Sequence, residues 1–215
     1  MISWKHERFY LKQGIRLIAG VDEAGRGPLA GPVVASAVIL PLGFPLPRNC
    51  FGVDDSKKLS AEEREDLFAS ITETAVCIGT GIRTHEEIDK VNILRATMEA
   101  MTDAIVQIQQ TLTPEFLLID GNYFKTSLRY PFKTIIDGDA YSPSIAAASI
   151  IAKVTRDRIM QELHWQYPEY NFFNNKGYAT KEHRDAIKQF GQSPVHRKSF
   201  KLKHEQTEEL FEVVS

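Results

Sequence analysis

The chain has 215 residues, 43% of them hydrophobic and 25% charged, with a formal net charge of −2; this is the balance of one ordinary globular domain and excludes a disordered, fibrous or membrane-spanning chain. The near-neutral charge does not by itself announce a nucleic-acid partner, since such domains are often basic. The two cysteines, Cys50 and Cys77, have no metal-type spacing to each other or to a histidine and read as reduced thiols; no apolar run could span a bilayer, the N-terminus lacks a signal-peptide core, and the expected location is cytoplasmic.

In chain order, residues 16–22 read as a strand ending on the acid Asp22. A glycine-rich turn leads to a second, buried strand over 33–40, and the proline-containing stretch 41–50 reads as a surface loop. Ser60 with Glu63 is a capping-box pattern opening a helix that carries Leu67, Phe68 and Ile71 on one face. A short strand is expected over 76–82. Thr84 with Glu87 is a second capping box, followed by one long helix with an apolar stripe at Val91, Leu94, Met98, Met101, Ile105, Ile108 and Leu112.

Residues 116–120 read as a buried strand that again ends on an acid, Asp120, and 132–136 as another strand, closely followed by Asp137 and Asp139. A helix is expected over 145–165, its alanine-rich start small enough to lie close on a sheet. A further helix over 180–190 is stopped by Gly191, and a last amphipathic helix is expected over 205–214. Strands alternating with helices predict an α/β fold, a mixed sheet with helices packed on it.

Three strand segments thus terminate in or near acids: Asp22 with Glu23, Asp120, and Asp139. If the strands are neighbours, four carboxylates converge, and their mutual repulsion calls for a cation between them. Hard oxygen donors suit Mg²⁺, and no His/Cys set competes for zinc. Taken singly, each acid is an ordinary turn or cap residue, and Asp137 is left in that class. Adjacent strand residues point to opposite faces, so Asp22 and Glu23 share a site only if the chain bends at Glu23, or if Glu23 binds through its backbone carbonyl.

The motifs around these acids are more specific. Gly20-Val21-Asp22-Glu23-Ala24-Gly25-Arg26-Gly27-Pro28, Asp54-Asp55-Ser56-Lys57-Lys58-Leu59, Asp120-Gly121-Asn122, Gly138-Asp139-Ala140 leading into Ser144 through Asp157, Asn175-Lys176-Gly177-Tyr178, and Ser193-Pro194-Val195-His196-Arg197-Lys198 occur in this order. Together, from about residue 15 to 200, they resemble the type 2 ribonuclease H family, ribonuclease HII of bacteria. Arg26 between two glycines and the short lead into the first strand favour this branch over type III. Tyr141-Ser142-Pro143 and the stretch Asn171-Phe172-Phe173-Asn174 depart from the commonest spelling.

The resemblance implies a ribonuclease H-like mixed β-sheet flanked by α-helices over residues 1–200, with a small C-terminal helical extension over 201–215 on or near the substrate side. It implies an endonuclease acting on RNA/DNA hybrids and 5′ of single ribonucleotides embedded in duplex DNA, by two-metal-ion hydrolysis leaving 5′-phosphate and 3′-hydroxyl ends. Asp22, Glu23, Asp120 and Asp139 are the implied catalytic metal-binding acids, with two divalent ions, Mg²⁺ or Mn²⁺. Gly25, Arg26, Gly27 and Tyr178 are implied to read the ribose 2′-hydroxyl.

Lys57, Lys58, Ser149, Lys153 and Arg197 complete the expected substrate contacts, and Asp157 is expected behind them, orienting a ligand or water. Lys57 and Lys58 also fit a solvated charge pair, and Lys153 with Asp157 an ordinary i,i+4 pair. The run from His196 to His204, with Arg197, Lys198, Lys201 and Lys203, reads as a local basic footprint for nucleic acid. A monomer with no membrane partner is expected.

Overall fold

The computed structural model describes residues 2–41 and 60–200. Lys57, Lys58, Cys50 and the helix expected over 205–214 lie outside the described residues. Five strands form one sheet: β1 Ile18–Ala24, β2 Val33–Ile39, β3 Cys77–Arg83, β4 Phe116–Asp120 and β5 Phe132–Ile135, in the order β3-β2-β1-β4-β5. The pairs β3-β2 and β2-β1 are antiparallel, while β1-β4 and β4-β5 are parallel. This is the mixed α/β architecture expected, with each strand within two residues of its sequence-derived bounds.

Among the described residues seven α-helices accompany the sheet: α1 Lys5–Leu11, α2 Ala61–Thr74, α3 His85–Val91, α4 Ile93–Gln109, α5 Pro143–Gln166, α6 Phe172–Asn175 and α7 Lys181–Phe190. Alternation along β1 divides the core. Ala19 and Val21 face α4, packing with Met101, Ile105 and Ile108. On the other face, Val38 meets Ala147, Ala148 and Ile151 of α5, which α2 covers through Leu67 and Ile71. Contact on both faces is very close. A Cβ on Gly20 would stand 2.0 Å from the Ser144 carbonyl carbon of α5, and one on Gly81 2.0 Å from the Ala100 carbonyl oxygen of α4. The alanine-rich start of α5 therefore does what its small side chains suggest.

Both capping boxes form, at Ser60 with Glu63 and at Thr84 with Glu87. The single long helix expected after Thr84 is instead two helices. Asn92 sits at φ 71°, ends α3, and accepts from the Arg95 N–H at 3.1 Å to cap α4. Asparagine tolerates positive φ and is a strong N-cap, so one residue makes the break. Leu94, expected on the buried stripe, is 45% exposed as a result. The departure at Tyr141-Ser142-Pro143 also has a structural reading: Ser142 caps α5 and Pro143 occupies its first turn. The buried Glu7 of α1, a helix that the strand and helix periodicities did not reveal, accepts from Ser142 Oγ at 2.6 Å and Ser144 N at 3.2 Å, tying α1 to the start of α5.

Candidate active site

The parallel strands bring the acids together. Val21 pairs with Ile119, which sets Asp22 beside Asp120, and Asp120 itself pairs with Ile135. The carboxyl ends of β1, β4 and β5 therefore open on the same edge, where ligands bind in open α/β sheets. Asp139 follows β5 on a 3₁₀ turn over Gly138–Ala140. That turn is fastened to β4, because the Gly138 N–H donates to Asp120 Oδ1 at 2.7 Å. Asp22, Glu23, Asp120 and Asp139 all line one cavity of about 320 Å³.

The strand β1 runs two residues beyond Asp22, so Glu23 is still paired, opposite Ala35. It lines the cavity nonetheless, with its N–H donating to Asp22 Oδ1 at 2.7 Å and its Oε1 accepting from Arg26 Nη1 at 3.1 Å.

Asp22 is 5% exposed. Burial first, then the carboxylates of Glu23 and Asp120, push it well above the ordinary carboxylate range, against the favourable influence of Ser149 on α5 and the Glu23 N–H. Burial likewise raises Glu23, opposed by Arg26. Asp120 is raised by burial and by Asp139 and Asp137, against the Gly138 N–H. Three neighbouring acids are thus each more costly to ionise than in water, which is the condition a bound cation relieves.

Among the described residues no group of three or more His, Cys, Asp or Glu side chains is drawn together closely enough to hold a metal ion as they stand. An open set of oxygen donors fits Mg²⁺ or Mn²⁺, which keep several waters and use few protein carboxylates.

The Gly25-Arg26-Gly27 loop forms the neighbouring wall. Gly25 has φ 98°, and a Cβ there would stand 2.1 Å from Arg156 Nε, so conformation and space both require glycine. Tyr178, 47% exposed, completes the wall, and a Cβ on Gly27 would be 3.7 Å from its Cε1. The loop and the tyrosine expected to act together are in fact adjacent.

Arg197 departs from expectation. It is 1% exposed and does not open on the cavity. Its guanidinium donates to the carbonyls of Gly25 at 2.6 Å, Arg26 at 3.1 Å, Gly31 at 2.9 Å and Pro32 at 3.1 Å. A direct substrate contact by this side chain is therefore replaced by a brace beneath the loop. Arg156, equally buried, adds bonds to Pro32 O at 2.9 Å and Ala30 O at 3.2 Å. Burial pushes Arg197 down to about 9 and Arg156 to about 10, so both stay charged at neutral pH. With the Gly25 and Arg26 carbonyls turned inward, planar trans peptides point the Arg26 and Gly27 N–H groups the other way. The buried His196 corrects the basic footprint in the same sense: with Arg197 it is part of the interior, not of an exposed tail.

Ser149 and Lys153 reach the cavity from α5. Lys153 Nζ donates to Asp157 Oδ1 at 2.6 Å, and Asp157 stands outside the cavity lining. Burial lowers Lys153, and Asp157 opposes that shift. Besides Ala24, two polar lining residues were not marked by the sequence: Asp137, at φ 52° on the turn before Asp139, and Arg156. The nearness of Asp137 to Asp139 was the only available signal for the first; nothing local marks Arg156. A larger groove of about 660 Å³ beside α4 holds Glu99 and Asp103, but both are ion-paired with Arg83 there.

Comparison with known proteins bears on the family and the fold. The family model described as Ribonuclease HII matches residues 19–203. A ribonuclease HII of Syntrophus aciditrophicus is 53% identical over 211 residues, covering 98% of this chain and 96% of the relative. One of Geobacter metallireducens is 52% identical over 198 residues, covering 92% and 90%. The crystal structure of the ribonuclease H2 of Pyrococcus horikoshii superposes with a TM-score of 0.71 at 28% identity, covering 91% of this chain and 98% of that one.

Sheet, flanking helices and acid edge together define a nuclease with a ribonuclease H-like fold. Within that class the chain belongs to the ribonuclease HII family, and it is an endoribonuclease.

Proposed function

We propose that this endoribonuclease is metal-dependent, hydrolyses the RNA strand of RNA/DNA hybrids, and cuts 5′ of single ribonucleotides in duplex DNA, leaving 5′-phosphate and 3′-hydroxyl ends. The observation that carries this reading is the placement of Tyr178 beside Gly27, where an added Cβ would stand 3.7 Å from the tyrosine Cε1, in the lining of one cavity with Asp22, Glu23, Asp120 and Asp139. An enzyme for DNA alone has no use for a ribose reader beside its acids.

The four acids would hold two divalent ions. Bound there, such ions supply a nucleophilic water at neutral pH and stabilise the leaving oxygen. The chain's own residues do the rest. The outward N–H groups of Arg26 and Gly27 donate to the 2′-hydroxyl, and the Tyr178 ring packs on the sugar beside the junction. Lys153 meets a phosphate, with Asp157 holding its ammonium in place. Arg26 keeps Glu23 oriented and lessens its cost of ionisation. Arg197 and Arg156 hold the loop rigid from below.

In this reading the catalytic domain lies within residues 1–200, and the tail expected over 201–215 lies outside the described residues. The enzyme works as a monomer in the cytoplasm, removing misincorporated ribonucleotides and RNA primers. No helix among the described residues is long and apolar enough to cross a membrane.

The test is a DNA duplex containing one ribonucleotide, beside an all-DNA duplex and a continuous hybrid, each with Mg²⁺, Mn²⁺ or EDTA. Metal-dependent cutting of the hybrid, and of the first duplex only 5′ of the ribonucleotide, is expected. Cutting of the all-DNA duplex, or cutting in EDTA, would overturn the reading.

A further inference from the structure

Two histidines that the chemistry above does not use are buried together behind the Tyr178 turn. His183 is on α7 and His196 on the segment that bridges to Ala30; they are 0% and 2% exposed. Their Nε2 atoms are 3.0 Å apart. At the outer ends, His196 Nδ1 lies 2.9 Å from the Ser193 backbone N and 2.7 Å from Ser193 Oγ, while His183 Nδ1 lies 2.8 Å from the Tyr178 carbonyl oxygen. The apolar rings of Tyr170 and Phe172 pack around both.

These contacts determine where the protons are. A backbone N–H can only donate, so His196 Nδ1 accepts, and its remaining proton is on Nε2. That N–H faces His183 Nε2, which must therefore accept. The His183 proton is then on Nδ1, which donates to the Tyr178 carbonyl. Each bond in the sequence Ser193, His196, His183, Tyr178 runs in one direction, and the Ser193–His196 and His196–His183 links require neutral imidazole. An extra proton on His183 Nε2 would oppose two N–H groups at 3.0 Å; one on His196 Nδ1 would oppose the Ser193 N–H.

The relay joins two substrate-facing walls. At one end it grips Tyr178, whose turn is otherwise held by Tyr178 N to Asn175 O at 2.8 Å and Thr180 N to Tyr178 O at 2.8 Å. At the other, His196 bridges to Ala30, and its neighbour Arg197 braces the Gly25 and Arg26 carbonyls. The carbonyl of Gly177, just before Tyr178, accepts from the Leu29 N–H at 2.8 Å.

We infer that His183 and His196 are positioning residues: their hydrogen-bond relay sets the Tyr178 ring against the Gly25-Arg26-Gly27 loop and so sets the spacing that reads a ribose 2′-hydroxyl. The inference rests on the proposed reading of that loop and tyrosine. His183→Phe keeps a flat ring but loses the donor to Tyr178. His183→Asn keeps a donor near the Nδ1 position. On a duplex with one ribonucleotide, His183→Phe is expected to raise KM by about fivefold to tenfold, the scale of one buried hydrogen bond, with kcat less affected. His183→Asn is expected to recover most of that loss.

In a Tyr178→Ala background the same His183→Phe change should add nothing, because its effect passes through the tyrosine. Imidazole ¹⁵N spectra should show the Nε2–H form of His196 and the Nδ1–H form of His183. If the wild type cuts the duplex while His183→Phe leaves KM unchanged, or costs as much without Tyr178 as with it, the positioning role is wrong. If the wild type does not cut at the ribonucleotide, the proposed function fails instead, and the spectra still decide the relay: any other tautomer pair, or a protonated ring at pH 7, overturns it.

Discussion

Arg197 donates from Nη2 to the Gly25 carbonyl at 2.6 Å, joining residues 172 apart in the chain directly under the loop beside the acids. Its other donors serve Arg26, Gly31 and Pro32. Arg197→Lys keeps the charge but cannot reach four carbonyls with one ammonium. Leaving buried carbonyls unpaired should cost roughly 3 kcal/mol or more, a fall in Tm of about 10 °C for a chain of this size. Thermal unfolding checks the cost, and KM for a ribonucleotide-containing duplex checks the loop. An unchanged Tm would mean the brace is not needed for the fold.

Asp120 accepts from the Gly138 N–H through Oδ1, and the Oδ1 of an asparagine can accept the same bond. Asp120→Asn should therefore leave the fold intact, with circular dichroism as in the wild type and a Tm no lower. Cleavage should nonetheless fall by roughly a hundredfold or more, since one carboxylate of the proposed metal-binding set is gone. Comparable turnover in the variant would remove Asp120 from the catalytic set.

Asp22 has its folded-state pKa raised above the ordinary value, by burial and by Glu23 and Asp120. Such a group binds its proton more tightly folded than unfolded, so its cost to stability grows as pH rises through the folded-state pKa. At neutral pH, Asp22→Asn should raise the Tm of the metal-free protein while abolishing cleavage, a site that sacrifices stability for function. Adding Mg²⁺ or Mn²⁺ should raise the wild-type Tm more than that of the variant. A lower Tm for the metal-free variant would contradict this account.

The histidine pair carries the opposite sign. Burial first, and then His183, push His196 down to about 4 from the ordinary 6.5, with His85 on α3 acting the same way. Burial lowers His183, opposed by its bond to the Tyr178 carbonyl. The unfolded chain takes up these protons first, so stability is full above about pH 6.5 and declines as pH falls from there towards 4. His196→Asn retains an acceptor for Ser193 and does not titrate. Its Tm should change less between pH 7 and pH 5 than that of the wild type, and an equal or larger change would show that acid sensitivity arises elsewhere.

Much of this was legible in the linear chain. Five strands, both capping boxes and the acids at strand ends could be read because each depends on neighbours a few residues away: side-chain alternation, a cap three residues before its partner, an apolar run that stops. The break at Asn92 was missed for a related reason. The stripe on either side of it continues with helical spacing, and only a positive φ separates α3 from α4. Arg197 was placed in the right region with the wrong contact, because a basic residue in a basic run carries no local mark of burial.

What the sequence by itself determined is the chemistry available: four acids without a soft-metal set, a glycine-rich turn, a tyrosine after another glycine, and their order along the chain. The tertiary structure decided which of these meet. Parallel pairing of β1, β4 and β5 put the carboxyl ends on one edge, and the buried Arg197 holds the Gly25 and Arg26 carbonyls inward. A histidine pair formed from residues 13 apart came to hold the tyrosine. Those outcomes depend on strand register and on desolvation, which arise only when segments distant in sequence exclude water from between them.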